Sequence, residues 1–160
     1  MVRYLTNMSD TEFIDHDVEA TLKTMFKEPY VHNVATLKGG NGYKGVYDFY
    51  KNHFVGKMRQ DTTGTKVSRT KGKDEVVEEL LISFTHDRQI DFMLPGIPPT
   101  GKFVQLPHVV VMKFKGNKIA HEHIYRDQGS LLDQVDLLDS NKVPVVGVEQ
   151  AKVLISLQGR

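Results

Sequence analysis

The stretch from Gly116 to Leu138, GNKIAHEHIYRDQGSLLDQVDLL, carries the clearest structural signals in this sequence. Its Gly-Asn pair is typical of a tight turn, and the residues that follow read first as a strand and then as a helix. Because side chains alternate along a strand, four polar groups would share one face. They are His121, His123, Tyr125 and Asp127. That face is either exposed to water or directed into a pocket where these groups perform chemistry.

Composition limits the classes of protein to which the chain can belong. The 160 residues fit one domain, which we expect to span 1–160 with a core at about 9–138 and a tail at 139–160. The 21 Lys and Arg against 20 Asp and Glu give no reason to expect a nucleic acid as partner. The sequence contains no cysteine, which excludes thiol nucleophiles and cysteine-ligated metals. No apolar run approaches about 18 residues and no signal peptide is evident, so we expect a cytoplasmic protein that crosses no membrane.

The periodicity of the chain changes from helical to extended near Thr65. Ser9 to Glu12 has the form of a capping box and predicts a helix that ends at Pro29. The segment Lys38 to Gly45 is rich in glycine and predicts a turn. The other predicted elements are strands at 30–37, 65–70, 74–87, 103–114 and 118–126, and helices at 46–58 and 129–138. Strands joined by tight turns, with helices grouped apart from them, predict an α+β domain whose curved antiparallel sheet is wrapped by helices into a cone.

One histidine interrupts an apolar row on the predicted strand from Phe103 to Phe114. His108 shares its face with Val104, Leu106, Val110, Met112 and Phe114. It is either a buried histidine satisfied by a backbone carbonyl or a polar group placed in an apolar ligand pocket. The opposite face carries Phe103, Val109 and Val111, and their exposure in a monomer would be unexplained, so we expect a homodimer that uses this outer face.

Two interpretations compete for Asp127, which lies where the last strand meets a helix. It is either an N-cap that accepts amide hydrogen bonds or a general base with a raised pKa. His121 and His123 have a spacing that can supply two metal ligands from one strand, but Glu122 would point away and no third ligand is fixed by spacing. We therefore predict no metal site.

Three segments together resemble a known family. GNKIAHEHIYRDQGSLLDQVDLL is similar to the closing pattern of the SnoaL-like polyketide cyclases, within the nuclear-transport-factor-2-like superfamily. That pattern has a Gly-Lys-Ile turn, an acidic and aromatic strand, an aspartate and a Leu-Leu-x-Gln helix. GIPPTGKFVQLPHVVVMKF resembles the preceding strand of the family, and YKGVYDFYKNHF resembles its early helix. The superfamily also holds ketosteroid isomerases, scytalone dehydratases and limonene epoxide hydrolases.

The resemblance implies a conical α+β barrel with a deep apolar pocket, commonly dimerised through the outer face of its sheet. It implies that Asp127 acts as the acid/base group and that His108 and His123 face the pocket. His123 stands where the family often has tryptophan, so the pocket would be more polar. We assign substrate contacts to five further residues. They are Tyr125, His121, His32, Phe92 and Met112.

These assignments predict an enzyme that uses no cofactor and acts on a small, mostly apolar carbonyl compound. Asp127 or an imidazole would abstract a proton, and His108, His123 or Tyr125 would stabilise the enolate. Aldol cyclisation, isomerisation and dehydration share this first step, and lactone or epoxide hydrolysis is a neighbouring possibility. The alternative is a ligand-binding or interaction domain without catalysis, because one fold hosts many functions.

Overall fold

The computed structural model describes residues 18–58 and 60–158. Within them the helices are α1 (Val18–Lys23), α2 (Gly42–Phe49), α3 (Gln128–Gln134) and α4 (Glu149–Leu157), and α2 continues into a π-helical turn at Tyr50–Phe54. The strands are β1 (Met25–Asn33), β2 (Lys38–Asn41), β3 (Thr63–Lys71), β4 (Glu75–Thr85), β5 (Phe103–Lys115) and β6 (Lys118–Arg126). The predicted capping box at 9–12 lies outside the described residues.

The six strands form one curved, mixed sheet in the order β2-β1-β6-β5-β4-β3. Neighbouring strands are antiparallel except β1 and β6, which are parallel. The predicted α+β class is confirmed. The parallel pair joins β1 and β6, the first and last strands in the sequence. No hairpin turn connects them, so no local sequence pattern could have predicted that they pair.

The first strand differs most from the prediction. β1 begins at Met25 and passes through Pro29, where the sequence predicted the end of a helix. Pro29 has no N–H for a ladder hydrogen bond, and it lies in the interval between Met25 and Tyr30 where the register of β1 against β6 shifts. The glycine-rich segment forms β2 instead of a simple turn. A Cβ on Gly40 would lie 2.1 Å from the carbonyl oxygen of Gly45, so the first turn of α2 packs directly on β2.

The hairpin of β5 and β6 turns at Gly116-Asn117 as predicted, with Lys115 opposite Lys118 and Gly116 at a φ of 62°. Its register then shifts by one residue. Phe114 pairs with Ile119, but Lys113 pairs with His121, so Ala120 is an extra residue on β6. Ala120 is a β-bulge, and a one-residue shift exchanges the two faces of everything beyond it.

The bulge decides which side chains of β6 enter the interior. Glu122, Ile124 and Arg126 lie opposite Met112, Val110 and His108, on the buried inner face. His121, His123 and Tyr125 lie opposite Lys113, Val111 and Val109, on the outer face. The prediction that His121, His123 and Tyr125 share one face is confirmed. The prediction that His123 faces the pocket beside His108 is wrong, because it assumed an unbroken register.

Apolar side chains fill the space between the inner face and the segments that cover it. The α2 residues Val46 and Phe49 and the α3 residue Leu131 are buried against the sheet. The loop between β4 and β5 adds four buried side chains. They are Ile90, Phe92, Met93 and Leu94. Polar groups on the inner face therefore stand in largely apolar surroundings, where their charge states are strongly perturbed.

Candidate active site

Glu122 is the inner-facing acid of β6, and its carboxyl forms the centre of the candidate site. The Tyr50 hydroxyl donates a hydrogen bond to Glu122 Oε2 at 3.3 Å. Burial raises the pKa of Glu122 to about 7, the charge of Glu78 adds to this effect, and the bond from Tyr50 opposes it. The residue keeps part of its surface exposed. At neutral pH the carboxyl is therefore divided between its two protonation states, as a group that exchanges protons requires.

Tyr50 begins the π-helical turn that follows α2. Such turns are rare and frequently occur at functional sites. Burial and the nearby charge of Glu122 raise the pKa of Tyr50 well above its usual value. The Tyr50 hydroxyl consequently stays protonated and acts as a donor.

A buried ion pair lies on the same inner face, across β5 from Glu122. Arg69 of β3 contacts Glu78 Oε1 through both Nε and Nη2, and Glu78 is only 1% exposed. Glu78 pairs with Val110 of β5, which in turn pairs with Ile124 of β6. Paired residues project to the same side of a sheet, so Glu78 faces the interior that Glu122 faces.

His108 lies on the inner face, as predicted, and is 7% exposed. Its Nδ1 lies 3.2 Å from the Leu106 carbonyl oxygen, which can only accept, so Nδ1 carries the proton and Nε2 is the acceptor. Burial lowers the pKa of His108 to about 4; the bond to Leu106 opposes this, and the charge of Arg126 contributes to it. His108 is therefore neutral at physiological pH.

Arg126 fixes the end of β6 next to His108. It donates to Asn33 Oδ1 at 3.0 Å, to the Phe92 carbonyl oxygen at 2.9 Å and to Gln128 Oε1 at 3.2 Å. These bonds tie β6 to β1 and to the loop that covers the inner face. Burial lowers the pKa of Arg126 to about 10, which still leaves it charged at neutral pH.

Glu122 and His108 lie far apart on the inner face. Glu122 pairs with Met112, which is four residues from His108 along β5, a separation of about 13 Å. Met112 and Phe92, both predicted substrate contacts, are buried on the inner side. The structure thus places His108, Met112 and Phe92 within the interior, but only Met112 lies beside Glu122.

Five ring side chains form a cluster on the outer face of β1 and β6, here called the outer ring cluster. They are Tyr30, His32, His121, His123 and Tyr125. The Tyr30 ring stacks on His121 with centroids 4.5 Å apart, and its hydroxyl lies 3.2 Å from His123 Nε2. His32 Nε2 lies 3.1 Å from Asn41 Oδ1. The prediction that His32, His121 and Tyr125 line the pocket is wrong, because these residues lie on the outer face.

Asp127 is exposed and caps α3. Its Oδ1 accepts from the Ser130 backbone N–H at 3.1 Å, and its Oδ2 accepts from Gln150 of α4. The N-cap interpretation of the sequence is the one that the structure shows. Among the described residues, no group of three or more His, Asp or Glu side chains is arranged to hold a metal ion.

Sequence reasoning missed Glu122, Tyr50, Glu78 and Arg69. One signal was present for Glu78, since a strict alternation along β4 places it in a row of apolar residues. That row is Val76, Leu80, Ile82 and Phe84. A single carboxylate in such a row is an anomaly of the same kind as His108 on β5. Glu122 gave no comparable signal, because its face depends on the bulge.

Comparison with known proteins gave matches to solved structures only. No family model matches the sequence, and no curated protein matches it. A protein from Jannaschia sp. CCS1, designated a SnoaL-like polyketide cyclase, is similar over 78% of this chain and 82% of its own, with a TM-score of 0.64 and 15% identity. The chain has the nuclear-transport-factor-2-like fold.

Other structures with this fold are similar to the same extent. TsrD from Streptomyces laurentii matches over 79% of this chain and 87% of its own, with a TM-score of 0.62 and 16% identity. A protein from Catenulispora acidiphila with a ketosteroid isomerase-like fold matches over 79% and 87%, with a TM-score of 0.59 and 14% identity. At these identities the nuclear-transport-factor-2-like fold is shared, and it accommodates many chemistries. None of the described helices is long and apolar enough to cross a membrane.

Proposed function

We propose that this protein is an acid/base enzyme that needs no cofactor and moves a proton on a small, mostly apolar carbonyl compound. Glu122 takes a proton from the carbon next to the carbonyl group. Once Glu122 is protonated, the Tyr50 hydroxyl turns its single O–H from the Glu122 carboxyl to the enolate oxygen that results. Glu122 then returns the proton to another carbon or to a leaving oxygen. Return of the proton to another carbon gives isomerisation, and transfer of the proton to a leaving oxygen gives dehydration. Attack of the enolate on a second carbonyl group of the same molecule gives aldol cyclisation.

The observation that carries this proposal is a carboxyl on an apolar inner face that accepts a hydrogen bond from a phenol donor. Burial on this face raises the pKa of Glu122 to about 7. A general base works best when its pKa is close to the operating pH, and a donor fixed in apolar surroundings stabilises developing charge strongly. The similar structures that are designated polyketide cyclases support the same class of reaction.

The three residues that the sequence assigned to catalysis take no part in this proposal. Asp127 caps a helix and His123 belongs to the outer ring cluster, so neither shares the interior with Glu122. His108 lies about 13 Å along the sheet from Glu122, too far to contact the same small substrate. Phe92 and Met112 contribute apolar contacts.

Deuterium exchange tests the proposal and does not require the product to be identified. A panel of small apolar ketones and β-dicarbonyl compounds is incubated with the protein in D₂O, and loss of the α-proton signal is followed by NMR. We expect exchange of at least one member, with a rate that falls by about a hundredfold or more in Glu122→Gln. Glu79→Gln is the matched control, because Glu79 lies on the outer face of β4 and accepts from Ser68.

Two results would contradict the proposal. One is equal exchange by Glu122→Gln and the unaltered protein. The other is a panel member that binds tightly but never exchanges, which would support a ligand-binding domain without catalysis.

We also propose that two copies associate through the outer face of the sheet. Phe103 and Tyr125 expose 57% and 43% of their surface, and Val109 and Val111 lie beside the outer ring cluster. Lys113 on this face is paired with Asp74 and Glu75, so its charge is compensated within the protomer. An apolar and aromatic face with compensated charge suits a self-complementary interface.

A further inference from the structure

The Arg69–Glu78 ion pair is the strongest feature of the interior that proton transfer by Glu122 does not itself use. We propose that Glu78, anchored by Arg69, is a positioning residue whose fixed negative charge favours the proton-bearing form of Glu122. This inference rests on the proposed function, since it explains how Glu122 comes to exchange protons near neutral pH.

The register brings the two carboxyl groups into one interior. Glu78 lies two strands from Glu122 and one same-face step along the sheet, which places their Cα atoms about 12 Å apart. Both side chains project from the inner face of the sheet. The negative charge of Glu78 accordingly contributes to the raised pKa of Glu122.

The ion pair is oriented, and its orientation determines the sign of its effect. β4 lies between β3 and β5 in the sheet, so Glu78 is one strand closer to Glu122 than Arg69 is, by about 5 Å. Both contacts from Arg69 reach Oε1 of Glu78. In the strand order Glu78 therefore lies between Arg69 and Glu122.

Few other charged groups face Glu122 from the described elements around it. The π-helical turn supplies Tyr50, a neutral donor, and the inner face of β1 supplies the uncharged Val31 opposite Glu122. His108 and Arg126 lie at the other end of the inner face. Glu78 is thus the charged side chain that identifiably influences Glu122, whereas burial acts on it from all sides.

Carbon-13 NMR titration of the Glu122 carboxyl tests the inference, with its signal assigned from Glu122→Gln. In the double variant Arg69→Met with Glu78→Gln, which replaces the pair with uncharged groups, the midpoint should fall by about half a pH unit or more. Glu79→Gln, which removes a carboxylate from the outer face, should leave the midpoint unchanged. A pair that serves only to stabilise the fold would change thermal stability without moving this midpoint.

An unchanged midpoint in the folded double variant would overturn the inference. If the double variant does not fold, Glu78→Asp is titrated instead, because this variant keeps the ion pair and withdraws the negative charge by one methylene. The Glu122 midpoint in Glu78→Asp should fall by a smaller amount than in the double variant. An unchanged midpoint in Glu78→Asp would overturn the inference. The proposed function is tested separately. Exchange that is lost in Glu122→Gln together with an unmoved midpoint in the double variant would leave the function standing and remove the role of Glu78.

Discussion

At the scale of single residues, burial moves the pKa values of His108 and Glu122 in opposite directions. His108 has a pKa of about 4 in place of 6.5, so its contribution to stability is present above pH 6.5 and is lost as the pH falls through 4. Glu122 has a pKa of about 7 in place of 4.5, so its contribution is present below pH 4.5 and is lost as the pH rises through 7. Between about pH 4 and about pH 7, the stability contributions of His108 and Glu122 therefore change in opposite directions with pH.

Urea unfolding of variants should separate these two effects. We compare the free energy of unfolding of the unaltered protein with that of each variant as the pH is lowered from about 8 to about 4. The stability of the unaltered protein relative to His108→Gln should fall by about 3 kcal/mol over this range. Its stability relative to Glu122→Gln should rise by about 3 kcal/mol. The unaltered protein would show a flatter profile than either variant over the middle of this range. Stability differences that do not depend on pH would show that neither side chain is buried as described.

Asp127 should behave as a helix cap and nothing more. Asp127→Asn keeps an acceptor for the Ser130 N–H, so the free energy of unfolding should change by about 1 kcal/mol or less, and Asp127→Ala should cost about 1 kcal/mol. Deuterium exchange by Asp127→Asn should equal that of the unaltered protein. Loss of exchange in a folded Asp127→Asn variant would instead restore Asp127 as the base.

At the scale of elements, the hairpin of β5 and β6 was predictable and its bulge was not. The Gly116-Asn117 turn and the period of two are local properties of the sequence, and both predict the hairpin correctly. Ala120 carries no distinguishing feature, because any small residue can occupy such a bulge. Without a bulge at Ala120, the alternation of side chains would put His123 inside and Glu122 outside. The bulge reverses both positions.

Deletion of Ala120 should therefore leave the faces of β6 unchanged. Without the extra residue, Ile119 still pairs with Phe114 and His121 with Lys113 in an unbroken ladder, so Glu122 and Arg126 keep the inner face and we expect a cost of about 3 kcal/mol or less. Ala120→Gly keeps the bulge and should cost about 1 kcal/mol. Thermal unfolding followed by circular dichroism compares them, and a deletion variant that does not fold would contradict the described register.

At the scale of the whole molecule, the sheet separates an interior suited to chemistry from an outer face suited to association. Sequence pattern predicted the α+β class and much of the strand order along the chain. It did not predict the pairing of β1 with β6, which depends on contacts between distant segments. That pairing assembles the outer ring cluster, since Tyr30 and His32 come from β1 and the other three rings from β6.

The proposed dimer should dissociate when charge is added to the outer face. Val111→Lys should sediment as a single chain of 18.2 kDa while the unaltered protein sediments at twice that mass, and Leu137→Lys, at an exposed site after α3, should remain dimeric. Acidification should also favour monomers, because a protonated His121 would add positive charge opposite Lys113. Burial and the charge of His123 lower the pKa of His121, so this effect requires acid. Sedimentation of the unaltered protein as a monomer at neutral pH would contradict the dimer.

The carboxyl of Glu122 offers the most direct test of the central claim, and it requires no substrate. Carbon-13 NMR titration of the unaltered protein, with the signal assigned by its absence from Glu122→Gln, gives the midpoint for this one group. The structure predicts a midpoint of about 7, because burial on the inner face raises the pKa of the carboxyl, which accepts a hydrogen bond from Tyr50. A midpoint near the ordinary value of 4.5 would place Glu122 in water and contradict its role as the acid/base group.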